Sequence, residues 1–166
     1  MSDVVISASG LCKSFPLPHG LVDRITGKPP LAVHALNDVS FDLCRGETLG
    51  IVGESGCGKS TLARCLVRLH ELDKGEIRFE DTDIATLAGP ARRAFNRRVQ
   101  MIFQDPYSSL NPRMTVRTIL TEALSVHAMR PAAEIPARIT ELLDLVRLPH
   151  DAADRYPHEF SGGQRQ

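Results

Sequence analysis

Residues Gly53 to Thr61 read G-E-S-G-C-G-K-S-T, a glycine-rich run closed by Lys, Ser and Thr. These residue types at this spacing suit one task, the holding of a polyphosphate. Gly53, Gly56 and Gly58 allow sharp turns and let the backbone approach phosphates with no Cβ in the way. Successive N–H groups along Glu54, Ser55, Gly56, Cys57 and Gly58 can then face the anion, together with the N-terminus of a following helix. Lys59 is placed to reach the β- and γ-phosphates, and Ser60 to offer its hydroxyl to Mg²⁺. Thr61 lines the same helix start, and Cys57 fills a variable position of the pattern. The ligand class implied is a nucleoside triphosphate with magnesium.

Such a loop needs a strand before it and a helix after it. Thr48 to Val52 is a short apolar run suited to a buried strand. Leu62 to Leu69 carries apolar residues at helical spacing. Upstream, residues 4 to 15 alternate like a strand, and 16 to 30 are rich in Pro and Gly and read as a loop or insertion. His34 to Leu43 is a second strand region with a turn expected around Asn37-Asp38. Downstream, Glu76 to Glu80 is a short strand after the turn at Asp73-Lys74-Gly75. Pro90 to Arg98 is a short helix opened by its Pro, and Val99 to Phe103 a buried strand. Gln104 to Pro112 is loop-like. Two amphipathic helices follow, Val116 to Ala128 and Ala132 to Leu148, the second ended by Pro149. The pattern is an α/β portion followed by a helical insert, with no internal repeat.

Composition narrows the options. The chain has 166 residues, 42% of them hydrophobic, enough for a sizeable core. Twenty basic and twenty acidic residues cancel, which argues against a protein built to coat nucleic acid. Arg92, Arg93, Arg97 and Arg98 form one local basic cluster, read as a solvated helix face. Cys12, Cys44, Cys57 and Cys65 show no C-x-x-C spacing, which favours reduced thiols over a metal cluster or a disulfide scaffold. The N-terminus lacks the pattern of a signal peptide, and no apolar run approaches the roughly 18 residues of a membrane span. Membrane association is therefore expected only through a partner.

Near its end the chain reads Y-P-H-E-F-S-G-G-Q-R-Q, from Tyr156 to Gln166, and earlier M-I-F-Q-D-P, from Met101 to Pro106. With the phosphate loop, these resemble the ATP-binding subunits of ABC transporters. Ser161, Gly162, Gly163 and Gln164 match the family's signature motif, with Phe160 where Leu is commoner. Gln104 matches the Q-loop glutamine, and Phe15 the aromatic residue that stacks on adenine. His158 is read as a structural residue beside the signature rather than a catalytic base. Gly46 to Arg64 and Phe103 to Arg113 are more narrowly similar to the oligopeptide and dipeptide importer ATPases, whose relatives import peptides, nickel or glutathione. The resemblance covers essentially the whole chain.

It implies a P-loop NTPase core of α/β class with an antiparallel β portion and a helical subdomain. The expected division is 1–104 for the nucleotide-binding part, 105–160 for the helical subdomain and 161–166 for the start of the signature helix. It also implies a dimer of ATPase subunits, identical or sister, with each ATP held between the phosphate loop of one and the signature of the other. Ser161 and the N–H groups of Gly162 and Gly163 would face the γ-phosphate. Gln104 would touch Mg²⁺ and the attacking water and, with Lys59, serve catalysis. The helical insert would receive two membrane permease subunits on the cytoplasmic face of the inner membrane, with an extracytoplasmic solute-binding protein acting indirectly and no nucleic acid involved.

The family's apolar strand ending in Asp-Glu and its later His do not occur within these residues. The resemblance therefore implies that residues 1–166 alone do not hydrolyse ATP appreciably and expose apolar surface that limits solubility. Two other readings stay open: a chain that only binds ATP, and a soluble ABC protein of translation or DNA repair. A phosphate-loop kinase is a remote further one that leaves S-G-G-Q unexplained.

Overall fold

Alternating strands can keep one face buried only while their register holds, and the first two strands reset theirs repeatedly. The computed structural model describes residues 3–17, 31–103, 110–127 and 129–165. The chain forms two compact units, Met1–Met101 and Ile102–Gln166.

In the first unit, β1 (Val4–Pro16), β2 (Ala32–Cys44), β3 (Lys74–Phe79) and β4 (Thr82–Asp83) form one antiparallel sheet of order β2-β1-β3-β4. Ala8 and Leu11 of β1 are both buried although three residues apart, which a regular strand would forbid. Ser9 and Gly10 together oppose Ser40, a bulge that turns the strand over between them. Ser40 Oγ accepts the Gly10 N–H at 2.9 Å. In β2, Asn37 and Asp38 oppose Cys12, so the turn expected there is instead a bulge inside a continuous strand. A third irregularity leaves Ala35 unpaired between Leu36 and His34.

Helix α1 (Lys59–Leu66) begins at the phosphate loop and buries Leu62 and Cys65 against the sheet, beside Leu11, Leu36 and Ile77. Full burial of a Leu such as Leu62 contributes about 1.5–3 kcal/mol. The helix stops earlier than expected, at Leu66, because Arg68 turns left-handed at φ 58°. The Arg68 guanidinium then donates to Leu87 O at 2.7 Å. Helix α2 (Gly89–Arg98) carries its Pro in the first turn as expected and buries Phe95, whose ring meets Phe79 edge to face at 5.5 Å.

Two expected strands are not formed. Residues 48–52 and 99–103 have no strand assignment, and Val52 and Ile102 are 93% and 96% exposed. A parallel core strand exists only through its neighbours, and no described residues pair with either segment.

In the second unit, helix α3 (Val116–Val126) is opened by Thr115, whose hydroxyl accepts Thr118 N–H at 3.3 Å. Helix α4 (Ile135–Leu145) follows a 3₁₀ turn at Ala132–Glu134, so both helices are shorter than their apolar patterns suggested. Leu124, Ile135, Ile139, Leu143, Ala152, Ala153 and Phe160 form its core. The Arg117 guanidinium clamps Asp154 through two bonds of 2.7 and 2.8 Å, joining α3 to the 3₁₀ segment His150–Asp154. Helix α5 (Gly162–Arg165) closes the described chain.

Candidate functional site

The loop from Gly53 to Gly58 is held at both ends. The Lys59 ammonium folds back and donates to Gly53 O at 2.7 Å and Glu54 O at 2.6 Å, with Cys57 Sγ at 3.5 Å. Gly56 and Gly58 take left-handed φ angles of 85° and 100°, which side-chain-bearing residues avoid. At Gly58 a Cβ would lie 2.2 Å from Ala35 O. The carbonyl of Ala35, the residue skipped in the register, therefore meets the loop where only glycine fits, and seats the start of α1 on β2.

The donor set suits a polyphosphate. Gly58 caps α1 with no side-chain hydrogen bond, and the first turn holds no acidic residue. Among the described residues the N–H groups of Lys59, Ser60 and Thr61, at the positive end of the helix dipole, have no partner and can donate to an anion. Ser60 is exposed beside them. Cys65, one helical turn into the core, has its thiol pushed up by burial and belongs to the packing rather than the chemistry.

Phe15 lies in the same unit. It pairs across the sheet with Val33, two residues from Ala35, which places it on the order of 10 Å from the loop by strand spacing. Its ring is half-buried and meets the His70 ring at 5.4 Å and 72°. Lys13 Nζ stands 5.6 Å from the ring centroid, tied to Asp73 Oδ1 at 2.9 Å. Asp73 also accepts the Ser14 N–H at 2.6 Å, and these two partners, Lys13 first, hold its carboxyl below the usual carboxylate range. Nothing in the local sequence announces His70 or Asp73 at this ring, since both arrive from the segment after α1.

Ser161, Gly162, Gly163 and Gln164 lie in the second unit. Their side chains form a reciprocal cap: Gln164 Oε1 accepts the Ser161 N–H at 3.0 Å, and Ser161 Oγ accepts the Gln164 N–H at 3.4 Å. The N–H groups of Gly162 and Gly163 have no partner among the described residues, and the Ser161 hydroxyl proton remains available for donation. His158 is exposed, with its ring stacked on Tyr156 at 5.6 Å. Gln104 lies outside the described residues. The structure thus brings Phe15 and Gly53–Thr61 together in one unit and sets the S-G-G-Q residues at a helix start in the other. Among the described residues no group of His, Cys, Asp and Glu could hold a metal ion by itself, and no helix is long and apolar enough to cross a membrane.

Residues 36–166 match the family model described as ABC transporter. The chain belongs to the ABC transporter family. Within that family it is 48% identical over 165 residues to the glutathione import ATP-binding protein GsiA of Pectobacterium atrosepticum, covering 99% of this chain and 26% of that protein. To GsiA of Escherichia coli K12 it is 49% identical over 162 residues, covering 98% of this chain and 25% of that protein. It thus spans about a quarter of the length of the curated relatives it matches. Its fold matches the ATP-binding cassette MJ0796, solved as a dimer in a post-hydrolysis state bound to ADP and Pi. The TM-score is 0.74 at 22% identity, over 96% of this chain and 65% of that one. It also matches cbiO1 of Clostridium perfringens, part of the ABC transporter complex cbiONQ, with a TM-score of 0.68 at 24% identity over 98% and 58% of the two chains. The fold of this ABC chain, an antiparallel sheet with helices, matches such cassettes.

Proposed function

We propose that this ABC chain carries the ATP-binding site of an ATPase subunit that powers import of glutathione or a related small peptide. The observation that carries the reading is the loop around Lys59. An uncapped helix start, two left-handed glycines and a cationic side chain drawn in by the Gly53 and Glu54 carbonyls form a ready anion cradle. The near 50% identity to GsiA proteins supports the importer class.

In this reading the backbone N–H groups from Gly56 to Thr61 hold the phosphates, and Lys59 offsets charge on the β- and γ-oxygens. Ser60 provides a hydroxyl ligand for Mg²⁺, and Gln104 provides a side-chain amide for the same ion and the attacking water. Mg²⁺, when bound, neutralises charge that develops on the phosphoryl oxygens. Phe15 stacks on the adenine. In a dimer of two such subunits, Ser161 Oγ–H and the N–H groups of Gly162 and Gly163 donate to the γ-phosphate bound by the other subunit. The helical unit docks on two permease subunits at the cytoplasmic face of the membrane, and a solute-binding protein delivers the cargo to them.

The test is reconstitution of the complete natural polypeptide with its permease subunits in vesicles. Glutathione or a dipeptide, presented with the binding protein, should stimulate ATP turnover. Turnover indifferent to any peptide-class solute would reject the importer assignment.

A further inference from the structure

The base-stacking reading of Phe15 leaves open how an exposed strand end keeps an aromatic ring in one plane. A lone Phe near a strand terminus samples several rotamers, and a platform that must be ordered at each binding event costs affinity. Here two side chains meet the ring, and a third fixes one of them. His70 stands edge to face with it, at 5.4 Å between centroids and 72° between planes. That is the preferred geometry for an aromatic pair. Lys13, two residues earlier on β1 and so on the same face of the strand, places its ammonium 5.6 Å from the ring centroid. The ammonium is itself fixed by Asp73, whose second oxygen takes the Ser14 N–H. The Lys13 side chain is only 16% exposed, so its position is set by packing as well as by charge.

Two of these three groups share a source. His70 and Asp73 sit on the segment that runs from the end of α1 to β3. Asp73 N–H also donates to Cys12 O at 2.9 Å, which docks that segment directly on β1. The same helix therefore starts at the phosphate loop and ends by delivering the supports of the stacking ring.

We infer that His70, with the Lys13–Asp73 ion pair beside it, is a positioning residue that holds the Phe15 ring as a platform for a nucleobase. The Lys13 ammonium lies over the ring and His70 sets its tilt, so the plane on which a base stacks is fixed before it binds. This inference rests on the stacking role proposed for Phe15.

The test compares ATP with inorganic tripolyphosphate, both with Mg²⁺, on the complete natural polypeptide. Tripolyphosphate uses the phosphate loop and has no base. His70→Ala should weaken ATP binding roughly 3- to 10-fold and leave tripolyphosphate unchanged. His70→Phe, which keeps an aromatic edge, should restore ATP binding. Phe15→Ala should weaken ATP binding roughly tenfold or more, again with tripolyphosphate unchanged. If Phe15→Ala lowers the ATP preference and His70→Ala does not, the positioning role is overturned and stacking stands. If Phe15→Ala leaves the preference unchanged, the stacking reading itself fails. A parallel loss of both ligands in His70→Ala assigns His70 to the scaffold and overturns the inference.

Discussion

A Cβ built on Gly58 would sit 2.2 Å from the carbonyl oxygen of Ala35. The two residues belong to different elements, and each is exceptional in its own. Gly58 has a left-handed φ of 100°, and Ala35 is the residue left unpaired where β1 and β2 change register. The irregularity in the strand and the glycine in the loop therefore fit each other.

Gly58→Ala should be strongly destabilising as well as inactive. The backbone strain alone costs about 1–3 kcal/mol, and the overlap with main-chain atoms adds to it, since a carbonyl cannot swing aside like a side chain. Urea denaturation would check this. An unchanged midpoint would mean that Ala35 and Gly58 do not meet in this way.

Much of the loop was legible in sequence because its chemistry is local: consecutive residues supply the turns, the cation and the hydroxyl. The S-x-x-Q spacing at Ser161 and Gln164 is equally local, and in the structure it forms a reciprocal helix cap. What escaped the sequence depends on partners. Asn37-Asp38 carries a turn signal, and whether such a pair ends a strand or bulges within it is decided by the opposite strand. Thr48–Val52 and Val99–Phe103 are apolar enough for core strands, but an apolar run becomes a strand only when its N–H and C=O groups find neighbours. The contact of His70 with Phe15 spans 55 positions and leaves no periodic trace.

Ser161→Ala and Gln164→Ala should each loosen the last turn, at about 1 kcal/mol for the serine as expected of an N-cap. The two should be non-additive because they share one reciprocal pair. Hydrogen exchange at residues 162–165 would report it. Additive effects in the double variant would show that the cap does not form as a unit.

Glu80 supplies a pH dependence. The Arg98 guanidinium, bonded at 2.7 Å, and then Arg45 hold its carboxyl below the ordinary glutamate value of 4.5. A lowered carboxylate contributes stability above the unfolded value and loses it as pH falls through the folded one. Melting temperature should therefore decline below about pH 4.5 more steeply in the natural protein than in Glu80→Gln. The difference should shrink in high salt, because all three side chains are exposed to solvent. Parallel curves at low ionic strength would contradict this.

Cysteine labelling separates loop from core. Cys57 is exposed, whereas Cys65 is 1% exposed with its thiol pushed up by burial. A thiolate-directed reagent at neutral pH should modify Cys57 first and leave Cys65 intact until unfolding. Mg·ATP should slow modification of Cys57. Early labelling of Cys65 would place the α1 core packing in error.

The most direct test of the central claim is equilibrium binding of Mg·ATP to the complete natural polypeptide, compared with Lys59→Ala. Loss of a charge-assisted contact to phosphate predicts an affinity at least tenfold weaker in the variant, in a protein that still unfolds cooperatively without nucleotide. Equal affinities for ATP in the two proteins would contradict the assignment of Gly53–Thr61 as the nucleotide site.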